Sequence, residues 1–272
     1  MHHSESPLAT QKSDEMASYP DEKFIEDAHV PNSDGMTEAE RAATLRRLLF
    51  KLDIRIIPVF ALLFLCSFLD RTNAGNAKTY GLEKDLYMTD HEYDIGLTVY
   101  YATYIASEIP SNLILKKVSP KIWLPSLTIA WGIVTMCLGF VRNYAGFVSV
   151  RAILGVAEGG LLPGMVLYLS GMYTRGEMAL RLGLFYTSAS LSGAFGGLLA
   201  RGLSSIGDRA GLYDWSWIFV IEGLITVVVG IVSYFFLPNN VESCKFLSEK
   251  ERTLATERLH NDTPSKLADD GT

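Results

Sequence analysis

IIPVFALLFLCSFLDRTNAGNA, residues 56–77, decides the fold. From Ile56 to Leu69 the chain carries no charge; an acid and a base, Asp70 and Arg71, then follow side by side. Those fourteen uncharged residues rise only about 21 Å as a helix, short of a bilayer hydrocarbon core of about 30 Å. A helix that starts at Ile56 and crosses must therefore continue through Asp70, Arg71, Asn73 and Asn76. Both charges then sit roughly 5–10 Å from the midplane. Neighbouring helical residues point about 100° apart, so each charge needs its own partner or a water-filled cavity. An intramembrane charge costs at least about 2.5–3.5 kcal/mol, which makes a functional role the default expectation. An interhelix ion pair is the structural alternative.

The rest of the chain repeats this texture. Nearly half of the 272 residues are hydrophobic, and the mean hydropathy is positive. Apolar residues gather in blocks of about 20, the length a helix needs to cross a bilayer. Only helices and closed barrels satisfy their backbone in lipid. The expected fold is thus an all-α integral membrane bundle. Its net charge of −6 comes largely from residues 1–40, which are rich in Ser, Pro, Asp and Glu. That composition buries too little apolar surface to fold, so an acidic disordered tail is expected, and it points to no nucleic-acid partner. No secretory h-region follows the first Met. Cys66, Cys137 and Cys244 have neither disulfide nor metal spacing.

Thr37 and Glu40 have the spacing of a capping box. Residues 41–55, with Arg41, Arg46, Arg47, Lys51 and Arg55, form a basic helix approaching the membrane. Six spans are expected, at about 56–77, 93–115, 122–141, 145–173, 180–203 and 217–237, with Pro238 stopping the last. Residues 238–272 read as a polar tail. Lys and Arg collect at one side of this bundle, which places both termini in the cytoplasm. Two inverted three-helix repeats are expected, with the substrate site near the midplane. Helices one and four become repeat mates, and these two carry the deepest charges.

Helix four reads VRAILGVAEGGLLPGMVLYLSGMY, residues 150–173. Arg151 and Glu158 lie on nearly one face, about 10 Å apart along the axis. Glu158, near mid-span, either loads and unloads a proton or stays paired with an arginine. Gly155, Gly159, Gly160 and Gly164 allow a neighbouring helix to approach closely, and Pro163 is expected to bend the helix. Tyr100, Tyr101 and Tyr104 on helix two either line a polar cavity or pack. Glu108 and Glu222 fall nearer span ends and are expected to pair structurally with loop bases. All five histidines lie in tails or a loop, so no nucleophile–base pair or metal cluster is available within the membrane, and an enzyme is not expected.

FLDRTNAGNAKTYGLEKDL (68–86), EIPSNLILKKVSPKIWLPS (108–126), RAILGVAEGGLLPG (151–164), GAFGGLLA (193–200) and WSWIFVIEGLITVVVG (215–230) together resemble the anion:cation symporter family of the major facilitator superfamily. The likeness is to its fungal allantoate and nicotinate permease branch. The resemblance implies a proton-coupled carrier of small organic anions working by alternating access, in the plasma membrane.

 The coupling ion is the proton, and no other cofactor is implied.

Position by position, the resemblance makes Arg71 the holder of a substrate carboxylate. Tyr104, with Tyr101 beside it, lines the substrate path. Asp70 and Glu158 become the proton-coupling acids, and Arg151 becomes the partner of such acids. The loop between helices two and three departs from the superfamily pattern: in NLILKKVS, residues 112–119, Asn112, Lys116, Lys117 and Ser119 stand where Gly, Asp, a base and Gly are usual. The family has two six-helix halves enclosing the site, whereas this chain contains the six helices of the N-terminal half. That leaves two expectations open: a half-length carrier that acts with a second half-transporter or a full-length homologue, or a non-transporting membrane protein that associates with such a relative.

Overall fold

The computed structural model describes residues 36–207 and 211–262. The acidic tail expected over 1–40 lies outside the described residues except for its last five positions. Among the described residues the chain is helical throughout, in the order α1 (Glu38–Thr79), α2 (Leu82–Asp85), α3 (Asp90–Lys117), α4 (Pro120–Leu138), α5 (Tyr144–Glu158), α6 (Leu161–Ser170), α7 (Arg175–Ser204), α8 (Ser216–Phe236) and α9 (Glu249–Asp262).

Local chemistry sets the helix ends. Thr37 and Glu40 form the expected capping box at the start of α1: the Glu40 N–H donates to Thr37 Oγ1 at 3.3 Å and the Thr37 N–H to Glu40 Oε2 at 3.1 Å. Thr89 and Glu92 do the same for α3. The Asn143 side chain accepts the Gly146 N–H at 2.8 Å and opens α5. Gly81, at φ +94°, takes the left-handed turn that separates α1 from α2.

Three features differ from the expected layout. The basic helix and the first span are one helix of 42 residues, about 63 Å long, because Pro58 interrupts one hydrogen bond without ending it. The fourth span is broken between α5 and α6 at Gly159–Gly160. Pro163 lacks the N–H that would bond the carbonyl of residue 159, so the break falls where the proline removes a bond. Part of the polar tail is the helix α9, docked against α1.

By length and apolarity, four stretches of the described residues are able to cross a membrane: Glu38–Thr79, Pro120–Leu138, Tyr144–Ser170 and Ser216–Phe236. The α7 helix becomes a fifth if its 41° bend between Gly193 and Phe195 lies within one span. The expected second span, α3, has the length, 28 residues, but Tyr100, Thr103, Tyr104, Ser107, Glu108 and Ser111 lower its apolarity. Much of that polar face packs on α5. A Cβ at Gly159 would run into Ser107 Oγ and the Tyr104 carbonyl, and one at Gly155 into Thr103 Oγ1 and the Tyr100 carbonyl. The glycines let the two backbones touch.

The main helix pairs are α1 with α7, α3 with α5, and α4 with α8; α1 also packs on α8 and α4 on α5. Exchanging the triplet α1, α3, α4 for the triplet α5–α6, α7, α8 maps this set of pairs onto itself, with α4–α8 on the axis. The packing therefore has the twofold pattern of two three-helix repeats.

Two apolar clusters fill the bundle. One joins Leu52, Phe60, Phe64, Tyr168, Phe185 and Ala255. The other joins Ala77, Leu82, Phe147, Ala200, Trp215 and Phe219. Between them, buried polar side chains form a belt: Ser67, Asp70 and Asn73 on α1, Arg151 and Glu158 on α5, and Glu222 on α8. Large apolar side chains such as Ile105, Ile109, Leu198 and Phe235 are exposed on the outside, as the surface of an integral multi-pass protein requires.

Candidate functional site

Asp70 and Arg71 leave α1 in different directions, as the 100° helical step demands. The Arg71 side chain reaches α5, where Nη2 lies 3.1 Å from Glu158 Oε1. The same oxygen accepts the Ser67 hydroxyl at 2.5 Å, and Glu158 Oε2 accepts the Tyr100 hydroxyl at 2.6 Å. Glu158 therefore receives three donors, one of them charged. Charge-assisted hydrogen bonds are roughly twice as strong as neutral ones.

The two partners differ in access. The Glu158 side chain is 1% exposed and that of Arg71 is 26% exposed. The Arg71 guanidinium stands 5.1 Å from the Tyr104 ring and 5.2 Å from the Phe68 ring. These aromatic faces hold the guanidinium by cation–π attraction while part of it stays open. A guanidinium offers five N–H donors in a planar fork, so a pairing with one oxygen of Glu158 leaves donors for an incoming anion.

Asp70 faces α4 instead. Its Oδ2 accepts both the Trp131 indole N–H and, at 2.9 Å, the Thr135 hydroxyl. Asn73, one turn on, donates from Nδ2 to Glu222 Oε2 and accepts from Asn76 Nδ2 at 2.9 Å. The acid set thus spans α1, α5 and α8, held by neutral donors from α1, α3 and α4.

Four further candidates take no part in the Arg71–Glu158 pair. Arg151 does not pair with Glu158: Glu158 is taken by Arg71, Ser67 and Tyr100, and the two α5 residues are two turns apart. The Arg151 guanidinium lies 5.4 Å from the Phe147 ring and 5.9 Å from the Phe219 ring, with Nε and Nη2 buried and lacking a hydrogen-bond partner among the described residues. Glu222 is buried and accepts from Asn73 rather than pairing with a loop base. Glu108 is half-buried and has no ion pair among the described residues. Tyr101 is 49% exposed and meets the cluster through the Tyr100 ring, 5.0 Å away.

Several members of the site escaped sequence reasoning. Tyr100, which the sequence marked only as one of three tyrosines that line a cavity or pack, sits four residues before Tyr104 on the same helical face, whereas Tyr101 is turned away from it. Ser67, one turn before Arg71, was the only hydroxyl in an apolar run. Trp131 and Thr135 had no local signal, since their importance comes from the acid they face.

At the far end of α1 a second set of charges docks α9. Lys51 Nζ meets Glu251 Oε1 at 2.7 Å, Arg41 meets Glu257 at 3.5 Å, and Arg258 pairs with Glu177. Arg181 forks onto Asp53 at 3.0 and 2.8 Å, tying α7 to α1. A cavity of about 560 Å³ opens beside α9, lined by Ser170, Tyr173, Arg175, Asn240, Glu242 and His260 among others. None of its lining residues belongs to the Arg71–Glu158 site. Ser119, at the departing position of the loop before α4, donates to Asn239 after α8.

Comparisons with known proteins agree with this architecture. A family profile described as Major Facilitator Superfamily matches residues 60–264. The chain is 41% identical over 212 residues to the MFS-type transporter efuF of Hormonema carpetanum, covering 78% of this chain and 43% of efuF. It is 40% identical over 223 residues to the MFS-type transporter cnsO of Penicillium expansum, covering 80% and 43%. The major facilitator-type transporter hxnP of Emericella nidulans is 34% identical over 235 residues, covering 85% and 46%. The chain thus spans less than half the length of these curated relatives. Among solved structures, a bacterial homolog of the human lysosomal transporter Spinster, in an inward-facing and unoccupied conformation, superposes with a TM-score of 0.58 at 19% identity, covering 68% of this chain and 43% of that one. With its fold, its buried charged belt and a family match over more than half its length, the chain belongs to the Major Facilitator Superfamily of membrane transporters.

Proposed function

We propose that this chain supplies the anion- and proton-handling half of a carrier for small organic carboxylates, of the allantoate or nicotinate type. The observation that carries the reading is the Arg71–Glu158 pair at 3.1 Å, with Arg71 partly open and Glu158 buried. An ionised Glu158 occupies the guanidinium. A protonated Glu158 releases it, and a substrate carboxylate takes the vacated donors. Proton and anion then bind together, which is the linkage a symporter needs. Tyr104 bounds the open side of the guanidinium, and Tyr100 and Ser67 keep Glu158 in place through the exchange. Asp70, behind Trp131 and Thr135, is a second proton-coupling acid on the same helix. Alternating access follows from rocking this bundle against the facing half of a complete carrier. The basic α9 end faces the cytoplasm, and with it both termini; the plasma membrane is the proposed location.

The test is anion binding to the purified chain, followed by uptake in vesicles with a complete carrier bearing the same site. Binding of a small carboxylate should strengthen on acidification and disappear in Arg71→Ala. Undiminished binding in that variant would remove the carboxylate-holding role. Binding without uptake in a complete carrier would favour an associating, non-transporting protein.

A further inference from the structure

The belt between the two apolar clusters contains three carboxyl groups, Asp70, Glu158 and Glu222, and two guanidinium groups, Arg71 and Arg151. Arg71 is committed to Glu158. One cation, Arg151, remains for two buried acids. It lies within electrostatic reach of Asp70, and Glu222 within reach of both Asp70 and Arg151. If both acids were ionised, one buried negative charge would have no compensation. Such a charge is costly enough that a buried group binds a proton instead.

Hydrogen bonding distinguishes the two acids. Asp70 Oδ2 accepts from Trp131 and Thr135 together. The indole N–H is a donor only, so this oxygen is held as an acceptor, the arrangement that suits a carboxylate. Glu222 is served less well. Its Oε2 accepts from Asn73, but among the described residues Oε1 is buried without a partner, and so is the hydroxyl oxygen of Thr226 one turn along the same face of α8. A bare carboxylate oxygen without a donor is the expensive case; an acid O–H at Oε1 removes the charge.

We propose that Glu222 is a proton-binding residue, neutral in this conformation with its proton on Oε1, and that Arg151 balances Asp70. The ionisable groups facing Glu222 are Asp70 and Cys66 on α1 and Arg151 and Glu158 on α5. From α4 come Trp131 and Thr135, which carry no charge. On α7, Arg175, Glu177, Arg181 and Arg201 stand toward the helix ends, and the Tyr186 ring packs on Phe64 and Phe185. The inference adds an acid on α8 to those assigned to coupling and does not depend on anion transport.

Infrared difference spectroscopy on the purified full chain in lipid tests it. At neutral pH the wild-type spectrum should contain a protonated-carboxyl C=O band that shifts in deuterium oxide and is absent in Glu222→Gln. The midpoint of thermal unfolding of Glu222→Gln should stay within about 2 °C of wild type, whereas Asp70→Asn, which strands Arg151, should lose about 5 °C or more. Persistence of the band in Glu222→Gln would overturn the proposal. So would a loss of stability in Glu222→Gln equal to that of Asp70→Asn, or failure of Glu222→Gln to fold, since glutamine reproduces the size and neutrality claimed for the acid. Neither readout involves transport, so a failed carrier assay leaves this result standing and the reverse also holds.

Discussion

Asp70 and Arg71 are neighbours in the chain and bind opposite walls of the bundle: Arg71 reaches Glu158 on α5 at 3.1 Å, while Asp70 accepts from Trp131 and Thr135 on α4. The pair does not neutralise itself. One helix turn thereby places a cation on the open side of the belt and an acid on its closed side.

That division makes Arg71 sensitive to more than its charge. Arg71→Ala should abolish carboxylate binding, and Arg71→Lys should retain only part of it, weakening affinity about tenfold or more by losing the planar fork. Titration calorimetry with a small monocarboxylate checks both. Equal affinity in Arg71→Lys and wild type would show that a point charge suffices.

Glu158→Gln should remove the proton dependence of that binding. With no carboxylate to compete for Arg71, affinity should be as high at neutral pH as the wild type reaches on acidification, and flat with pH. A wild-type pH profile retained in the glutamine variant would move proton linkage to another acid.

Helix contact between α3 and α5 should depend on Gly159. Its added Cβ would strike Ser107 Oγ and the Tyr104 carbonyl, so Gly159→Ala should destabilise by about 1–3 kcal/mol. Gly183, where an added Cβ meets nothing within 4 Å, is the control: Gly183→Ala should be neutral or stabilising by up to about 1 kcal/mol. Thermal unfolding in lipid compares the two. Equal effects would mean that the backbones do not approach so closely.

Docking of α9 should weaken in acid. Burial pushes the Glu251 carboxyl up, but hydrogen bonds from Lys51 and from the Ser248 backbone and hydroxyl outweigh it and hold the group below the usual carboxylate range. A lowered folded value contributes stability above the ordinary Glu value of about 4.3, and that contribution fades as pH falls through the folded value. Protection of the α9 amides, taken against the intrinsic exchange rate at each pH, should therefore fall in acid, and Lys51→Ala should lower it already at neutral pH. Protection in α9 that is indifferent to both would assign its docking to apolar contacts such as Leu254 and Ala255.

Much of the site was legible because its residues are out of place. An Asp, an Arg and a Glu within apolar blocks announce themselves, and glycines at 155, 159 and 160 signal a close neighbour. Their pairing was not legible. Arg71 and Glu158 are 87 positions apart, and the sequence left open which arginine, if any, Glu158 meets. The helix rise keeps Arg151 and Glu158 apart, while α1 crosses at the depth of Glu158. Glu222 was misplaced for a related reason: proximity to a span end suggested a loop base, but its face of α8 turns inward, where Asn73 on α1 donates to it.

The amino-acid order by itself determined the membrane-spanning helical character, the capping at Thr37 and the set of side chains that must be compensated in a low-dielectric interior, because hydropathy, helix rise and desolvation cost are properties of local sequence. Which acid meets which base, which oxygen is left bare and which tyrosine carries the hydrogen bond were decided by how α1, α3, α4, α5 and α8 cross, because hydrogen bonds act over about 3 Å and only the packed bundle brings atoms from distant positions within that reach.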